Sequence, residues 1–505
     1  MKPGLKVKSF LLCALCAVLL ILSFPKFDIA FFAWFGFVPL FLALRNKSKV
    51  KAFFLAYLAG VIFWSGIIYW LVHVTLPGTI VLILYLALYF GIFGLIISTI
   101  DYRLSTIDPL FISSIWVILE YIRSHLFTGF PWALLGYSQY LNLPVIQISD
   151  ITGAWGVSFL IIMVNLMVYS FIVDGSSFSV IRRYIIYILG IAAVFGYGYF
   201  RIHELRTMNN ELKIKISVIQ GNIPQELKWL PSASPYILKR YGRLTKEAAK
   251  ENPDLIIWPE ASSPGLFGQD QEIFAEFFSL SKEIKIPLLI GAVSRDKENY
   301  FNSALFIDNA SIMASYDKLH LVPFGEYIPL KNMFPFLETV VPIGDITAGK
   351  EYTVFNLGLS GSQASLQAKF SVLICFEDLF PELSREFRKK GADFLVNITN
   401  DAWYKQTSAP YQHLQASVFR AVENRVFLAR AANTGISGFI GPAGKITSIV
   451  ADKSGRQIFS DGFKTQQIIA GGKGLSLYTR YGDAFIAICF LFLVYGIITR
   501  IKRRS

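Results

Sequence analysis

Apolar density changes abruptly along the chain. Residues 10 to 200 are built from apolar runs, about 213 to 470 have ordinary polar content, and 483–499 is apolar again. A membrane-spanning helix needs about 20 apolar residues. On that length the runs predict eight spans, near 10–24, 27–44, 52–73, 79–100, 109–122, 156–173, 184–200 and 483–499. Basic residues precede the first run, as in a secretory signal, but no small-residue cleavage site follows it and further runs do, so it reads as a span. Residues 126–150, with Gly129, Pro131 and Pro144, read as a re-entrant or interfacial segment.

From Leu212 the period changes. KIKISVIQ puts Ile214, Ile216 and Val218 on one face, as a half-buried strand does. Further strands are predicted at 254–258, 287–293, 301–308, 311–316, 352–357, 372–374, 393–398, 427–433, 436–440 and 446–450. Helices are predicted at 234–250, 270–284, 381–390 and 410–425. This alternation indicates one layered α/β domain. The expected organisation is helices over 1–212, a globular domain over 213–475, and a last helix with a basic tail over 476–505.

Composition agrees with the pattern. Charged residues make up 16% of the chain and mean hydropathy is +0.49, whereas soluble domains carry roughly 25% charged residues. The net charge of +13 raises the question of nucleic-acid binding, but much of it flanks the apolar runs. With Met1 inside, inside segments hold Lys2, Lys6, Lys8, Arg45, Lys47, Lys49, Lys51, Arg103, Arg182, Arg183, Arg500, Lys502, Arg503 and Arg504, whereas short outside loops hold Lys26 and Arg123. That bias orients a membrane protein and puts the globular domain on the outer face. Of four cysteines, only Cys375 lies outside the apolar runs, so the globular domain closes no internal disulfide.

Three ionisable residues follow predicted strands: Glu260, Lys318 and Cys375. Each would stand at one sheet edge, the usual ligand side of an open α/β sheet. A helix start after Cys375, marked by Pro381, would favour the thiolate. Cys375 would attack a carbonyl carbon, Glu260 would take and return the proton, and Lys318 would supply positive charge to the oxyanion. In the membrane part, Glu120 is a functional candidate because acids there are costly, and Arg123 stands within pairing reach on a helix. His320 and His413 lack partners at zinc-ligand spacing, and the chain has no Walker-type phosphate loop. No metal and no cofactor are implied.

WPE at 258–260, YDKLHLVPFGEYIP at 316–329 and ICFEDLFP at 374–381 resemble the three catalytic blocks of the nitrilase (carbon–nitrogen hydrolase) superfamily. QGNIPQELKW at 220–229, LVPFGEYIP, NDAWY at 400–404 and the membrane context resemble the apolipoprotein N-acyltransferases within it. The resemblance implies an α-β-β-α sandwich attached to about eight transmembrane helices, with a Glu260–Lys318–Cys375 triad. It further implies supporting roles for Glu326, Glu377 and Phe376, the last standing where many members carry Tyr. Trp229 and Trp403 match aromatics beside the nucleophile and on a loop over the site. Phe324, Met333, Phe334 and Phe336 would suit a lipid-facing lid, with Gly325, Gly344 and Gly349 as flexing points.

The implied reaction is a two-step transfer. An acyl chain passes from a membrane glycerophospholipid to Cys375 as a thioester, then to the α-amino group of the S-diacylglyceryl-cysteine of an apolipoprotein. The implied setting is a monomer in a bacterial inner membrane with its catalytic domain facing the periplasm, and no nucleic acid as partner. Two other readings stand beside this one. A membrane-anchored amidase of the same superfamily would release free acid from a small amide, but one anchor would suffice for it. A transporter with an accessory domain predicts several intramembrane charges, where the sequence offers one clear acid.

Overall fold

The computed structural model describes residues 3–100, 104–175, 178–206, 212–327, 346–359, 365–472 and 474–504. The chain forms two compact units. One comprises 1–207, 407–415 and 481–505, and the other 208–406 and 416–480.

In the first unit, five helices among the described residues are long and apolar enough to cross a membrane: Lys49–Ile67, Leu76–Ile97, Ala154–Asp174, Val180–Leu205 and Ala484–Ile501. Shorter apolar helical stretches cover Lys8–Leu22 and Ala30–Leu44. The run expected as one span at 27–44 is instead a 3-10 turn, Ala30–Trp34, and a short helix, Val38–Leu44. The break is satisfied by buried Asn165, whose Nδ2 donates to Ala33 O and whose Oδ1 accepts from Phe37 N, both at 2.8 Å. Such a break within a bundle needs side chains that take up the freed backbone groups.

Helices Lys49–Ile67 and Leu76–Ile97 pack on a seam of small residues. A Cβ on Gly94 would lie 2.4 Å from the Ala56 Cβ, and one on Gly60 would lie 2.8 Å from the Phe90 Cβ. Small side chains at such contacts let helix backbones approach closely.

Residues 126–150 contain a 3-10 turn, Leu135–Gln139, and two four-residue helices, Leu143–Ile146 and Ser149–Thr152, none long enough to span. This segment is pinned from the helix Asp108–His125. Glu120 Oε1 accepts from Leu135 N at 2.7 Å, and Arg123 Nη1 donates to Phe130 O and Trp132 O. Glu120 and Arg123 are both buried. Their hydrogen bonds fix the loop that follows this helix.

The second unit is a pair of sheets. Its strands are β1 (Leu212–Gln220), β2 (Leu255–Ile257), β3 (Leu266–Phe267), β4 (Leu288–Asp296), β5 (Asn299–Asp308), β6 (Ser311–Asp317), β7 (Phe355–Gly358), β8 (Gln367–Ile374), β9 (Phe394–Thr399), β10 (Leu428–Ala432), β11 (Gly438–Ile440), β12 (Ile446–Ile449) and β13 (Gly462–Ala470). The first sheet runs β13-β1-β2-β4-β5-β6, with β3 paired to β4, and the second runs β12-β11-β10-β9-β8-β7. β8, β9 and β10 are parallel, and β9, FLVNIT, is buried at every position, as a central parallel strand should be.

β13 is absent from the strands expected from sequence. It pairs antiparallel with β1 from Leu212↔Ala470 to Gln220↔Gly462. Its polar centre, Lys464 to Gln467, masks the alternation because it forms the exposed border of the sheet.

Helix Ser234–Ala249 buries Ile237, Tyr241, Leu244 and Ala248, one face at helical spacing. Together with helix Gln271–Ile284 it covers the first sheet, where Tyr241 stacks on Trp258 at 4.7 Å. The two sheets meet through aromatic rings, with Phe306 of β5 lying 6.0 Å from Phe355 and 5.6 Å from Phe370. The layers therefore run helix, sheet, sheet, and then the helix Pro381–Lys389 after β8 with residues 416–424 of the helix that follows β9.

Phe306→Ala should lower the stability of this unit by about 3–5 kcal/mol, the usual range for removing a large buried ring. Denaturant-dependent labelling of Cys375 in the full chain would read it, and a loss under about 1 kcal/mol would show that the sheets do not depend on this contact.

Candidate active site

The three ionisable residues arrive from two sheets, not from one edge as the strand pattern suggested. Glu260 follows β2 and Lys318 follows β6, both in the first sheet, while Cys375 follows β8 in the second. β4 and β5 separate β2 from β6, yet Lys318 Nζ lies 3.7 Å from Glu260 Oε1.

Glu260 reaches that place through a tight turn. Ala261 has φ +46, and Ser262 N and Ser263 N both donate to Gly291 O. The turn lies so close to β4 that a Cβ on Gly291 would stand 2.4 Å from Pro259 O and 2.6 Å from the Glu260 Cα. Only glycine allows that approach.

Lys318 is buried between carboxylates, with Glu326 Oε2 at 2.9 Å and Glu260 beyond it. Burial pulls its ammonium down, but Glu326 and then Glu260 outweigh it and hold the proton more tightly than usual. Asn302 of β5 ties the two acids together, its Nδ2 donating to Glu260 Oε1 at 2.7 Å and Glu326 Oε1 at 2.8 Å. Glu326 also accepts from Val322 N at 2.8 Å, which closes the Val322–Glu326 turn on its own side chain. Asn302 carries little signal in sequence. Its only signal is an amide within the apolar strand FNSALF.

Cys375 stands at φ +53, a left-handed conformation that β8 enters directly. Such backbone costs on the order of 1–3 kcal/mol and persists only where neighbours hold it. Here Asn397 Nδ2 donates to Leu373 O and Cys375 O, both at 3.2 Å. Arg430 Nη1 donates to Asn397 Oδ1 at 2.6 Å and to Asp378 Oδ2 at 3.0 Å.

Glu377, fully buried, works on the same turn. Its Oε2 accepts from Ile374 N, and its Oε1 accepts from Tyr316 OH, Leu319 N and His320 N, all within 3.1 Å. This one carboxyl joins the nucleophile turn to the Lys318 loop. Burial pushes it up to about 7 against the pull of those donors.

The helix start does not dominate at Cys375. Burial first, and then the Glu260 charge, push its thiol well above the usual range, although Lys318 pulls the other way. The expectation of a standing thiolate is therefore corrected: desolvation outweighs the short turn's dipole. At neutral pH the group rests as a thiol.

Phe376 is buried against Phe380, ring centroids 5.1 Å apart, and faces His320 at 6.0 Å. Trp229, Trp403 and Phe324 are 50%, 42% and 46% exposed, which excludes core packing for all three. Phe334, with Met333, Phe336 and Gly344, lies outside the described residues. Among the described residues no cluster of His, Cys, Asp and Glu has the arrangement of a metal site.

A buried cysteine on a strained strand-to-turn junction, with a Glu–Lys pair converging from a second sheet, defines a carbon–nitrogen hydrolase domain, and residues 215–459 match that family. Residues 16–167 match the apolipoprotein N-acyltransferase N-terminal domain. The chain is 37% identical to the apolipoprotein N-acyltransferase of Geobacter metallireducens, covering 95% of this chain and 93% of that one. It is 29% identical to that of Haemophilus ducreyi, over 96% and 95% of the two chains. For that of Nitrosomonas europaea the identity is 32%, over 83% and 80%. The chain belongs to the apolipoprotein N-acyltransferase family, and is an acyltransferase.

Glu377→Gln replaces an acceptor at both ends with an amide that must turn its NH2 toward at least one backbone N–H. It should cost about 2–4 kcal/mol of stability and, if Cys375 is the residue that takes the acyl group, slow its acylation about 100-fold, because the Lys318 loop and the Cys375 turn lose their common anchor. Unfolding midpoints and single-turnover acylation would read both. Acylation within about twofold of wild type would remove the anchoring role.

Proposed function

We propose that the protein transfers an acyl chain from a membrane glycerophospholipid, by way of a thioester on Cys375, to the α-amino group of an apolipoprotein's S-diacylglyceryl-cysteine. The observation that carries this reading is the 3.7 Å Glu260–Lys318 pair beside a buried, protonated cysteine, in a chain of this family.

Because Cys375 rests as a thiol, its proton has to leave as the carbon–sulfur bond forms. Glu260 receives it. The donor's ester carbonyl becomes an oxyanion, which the Lys318 ammonium and backbone N–H groups at the turn stabilise. When the tetrahedral intermediate collapses, the ester C–O bond breaks, the proton passes to the leaving alkoxide, and lysophospholipid departs. In the second half, the acceptor amine attacks the thioester, Glu260 takes the amine's proton, and the C–S bond breaks to regenerate the Cys375 thiol. Each half-reaction returns its proton, so no external acid or base is consumed. Glu326 and Asn302 hold Lys318 and Glu260 in register, and Glu377 holds the nucleophile turn. Trp229, Trp403 and Phe324, exposed as apolar rings, suit contact with acyl chains.

The membrane setting accords with this chemistry, because both substrates are lipid-anchored and tethering confines the search for them. We assign eight membrane segments: the five long apolar helices, the shorter helix at Lys8–Leu22, the broken stretch Ala30–Leu44, which enters without a continuous helix, and Asp108–His125. The Lys/Arg bias supports an inner-membrane protein with its catalytic domain on the periplasmic side. The protein is read as a monomer with no nucleic-acid partner.

Purified protein incubated with acyl-labelled phospholipid should acquire a label that neutral hydroxylamine removes. Cys375→Ala should abolish it, and Cys375→Ser should give either no label or a hydroxylamine-resistant one. Undiminished labelling of Cys375→Ala would refute the thioester.

A further inference from the structure

The acid–base centre contains a second buried ammonium. Lys228 is 3% exposed and follows the 3-10 turn Gln225–Leu227. That segment is fixed to the second sheet, where Asn433 brackets Ile223 through Ile223 N to Oδ1 and Nδ2 to Ile223 O, and Asn400 Nδ2 donates to Gln225 Oε1. Among the described residues Lys228 Nζ makes one hydrogen bond, to the Glu260 carbonyl oxygen at 3.1 Å. A neutral donor would serve that carbonyl equally well, and a buried ammonium is costly unless its charge is offset. The position therefore asks for charge.

The formal charges explain it. Glu260 and Glu326 bring two negative charges into one buried site, and Lys318, in contact with both, brings one positive charge. Lys228, which feels the charges of Glu260 and of Cys375, offsets part of that negative charge. The titratable groups around Glu260 and Cys375 are Lys228, Lys318, Glu326, Cys375, Glu377, Asp401 and Tyr404.

We propose that Lys228 is a positioning residue of the acyl transfer: through its bond to the Glu260 carbonyl and its charge, it holds the Glu260 turn and offsets the excess negative charge around the nucleophile. The proposal rests on the reading of Glu260 as the base for Cys375. Burial lowers the Lys228 ammonium to about 8, against the pull of Glu260 and Cys375, so it still carries its charge at neutral pH.

The test uses the full chain in detergent. Iodoacetamide alkylation of Cys375 is followed by mass spectrometry between pH 5 and 10, and acylation by labelled phospholipid is measured in parallel. Lys228→Met and Lys228→Gln remove the charge, and the Gln variant keeps a hydrogen-bond donor. In both, alkylation should be roughly tenfold slower than wild type at pH 6–7, with the gap closing above pH 9, where Lys228 itself has lost its proton. Lys228→Arg should keep the wild-type rate at pH 6–7.

A rate lowered equally at every pH, with the gap to wild type unchanged above pH 9, would overturn the proposal, since a merely structural loss acts that way. So would a Gln variant with the wild-type rate at pH 6–7, which would leave only the hydrogen bond. Should Met fail to fold, Gln and Arg still decide. A Glu260→Gln variant that alkylates as wild type would refute the underlying base assignment, and this proposal with it. A Lys228 effect absent while Glu260→Gln shifts the profile would refute this proposal alone.

Discussion

A carboxylate held against an ammonium away from water is the constraint that shapes the catalytic unit. Taking charged groups out of water costs several kcal/mol each, and attraction repays this only where geometry and hydrogen bonding are good. The site meets both conditions through backbone. Lys318 is delivered by the end of β6, Glu260 by a turn pressed against Gly291, and Asn302 of β5 between them. Every strand separating β2 from β6 helps to set a distance of 3.7 Å between two side chains. The sandwich is thus a device for holding opposite charges in register.

The Cys375 turn adds a second demand, because a cysteine in left-handed backbone stays there only if its neighbours insist. Asn397 takes the carbonyls on both sides of the junction, Arg430 orients Asn397, and Glu377 takes the amide of Ile374. The same Glu377 carries the amides of Leu319 and His320, so strain at the cysteine and placement of the lysine depend on one carboxyl. Burial of the thiol completes the logic. In the proposed mechanism, a group that rests protonated reacts only when a base is in place, which would tie reactivity to assembly of the whole centre.

The helical unit obeys the corresponding rule for apolar surroundings, that backbone groups must be satisfied internally. Asn165 closes the gap in the second apolar stretch, and Glu120 and Arg123 hold the irregular segment after their helix. Polar residues that look functional from their rarity in an apolar run are here engaged with backbone. Gln412 shows the same economy, accepting from the indoles of Trp70 and Trp132 and donating to Ile67 O.

Much was legible in sequence. Apolar run lengths marked most of the helices, period-two alternation marked β1, and the blocks around Glu260, Lys318 and Cys375 marked the chemistry, because each of these signals is local. Other features were not legible. β13 has polar residues at its centre, Asn302 is an amide set among the apolar residues of β5, and Lys228 is overshadowed by the tryptophan beside it. The stretch at 27–44 looks continuous in composition although its backbone is broken. Local pattern reports whether a residue faces water or core, and this is a property of neighbours along the chain. Which charge meets which, and which sheet supplies each of them, depends on groups dozens to more than a hundred residues apart, and only the folded backbone brings those together.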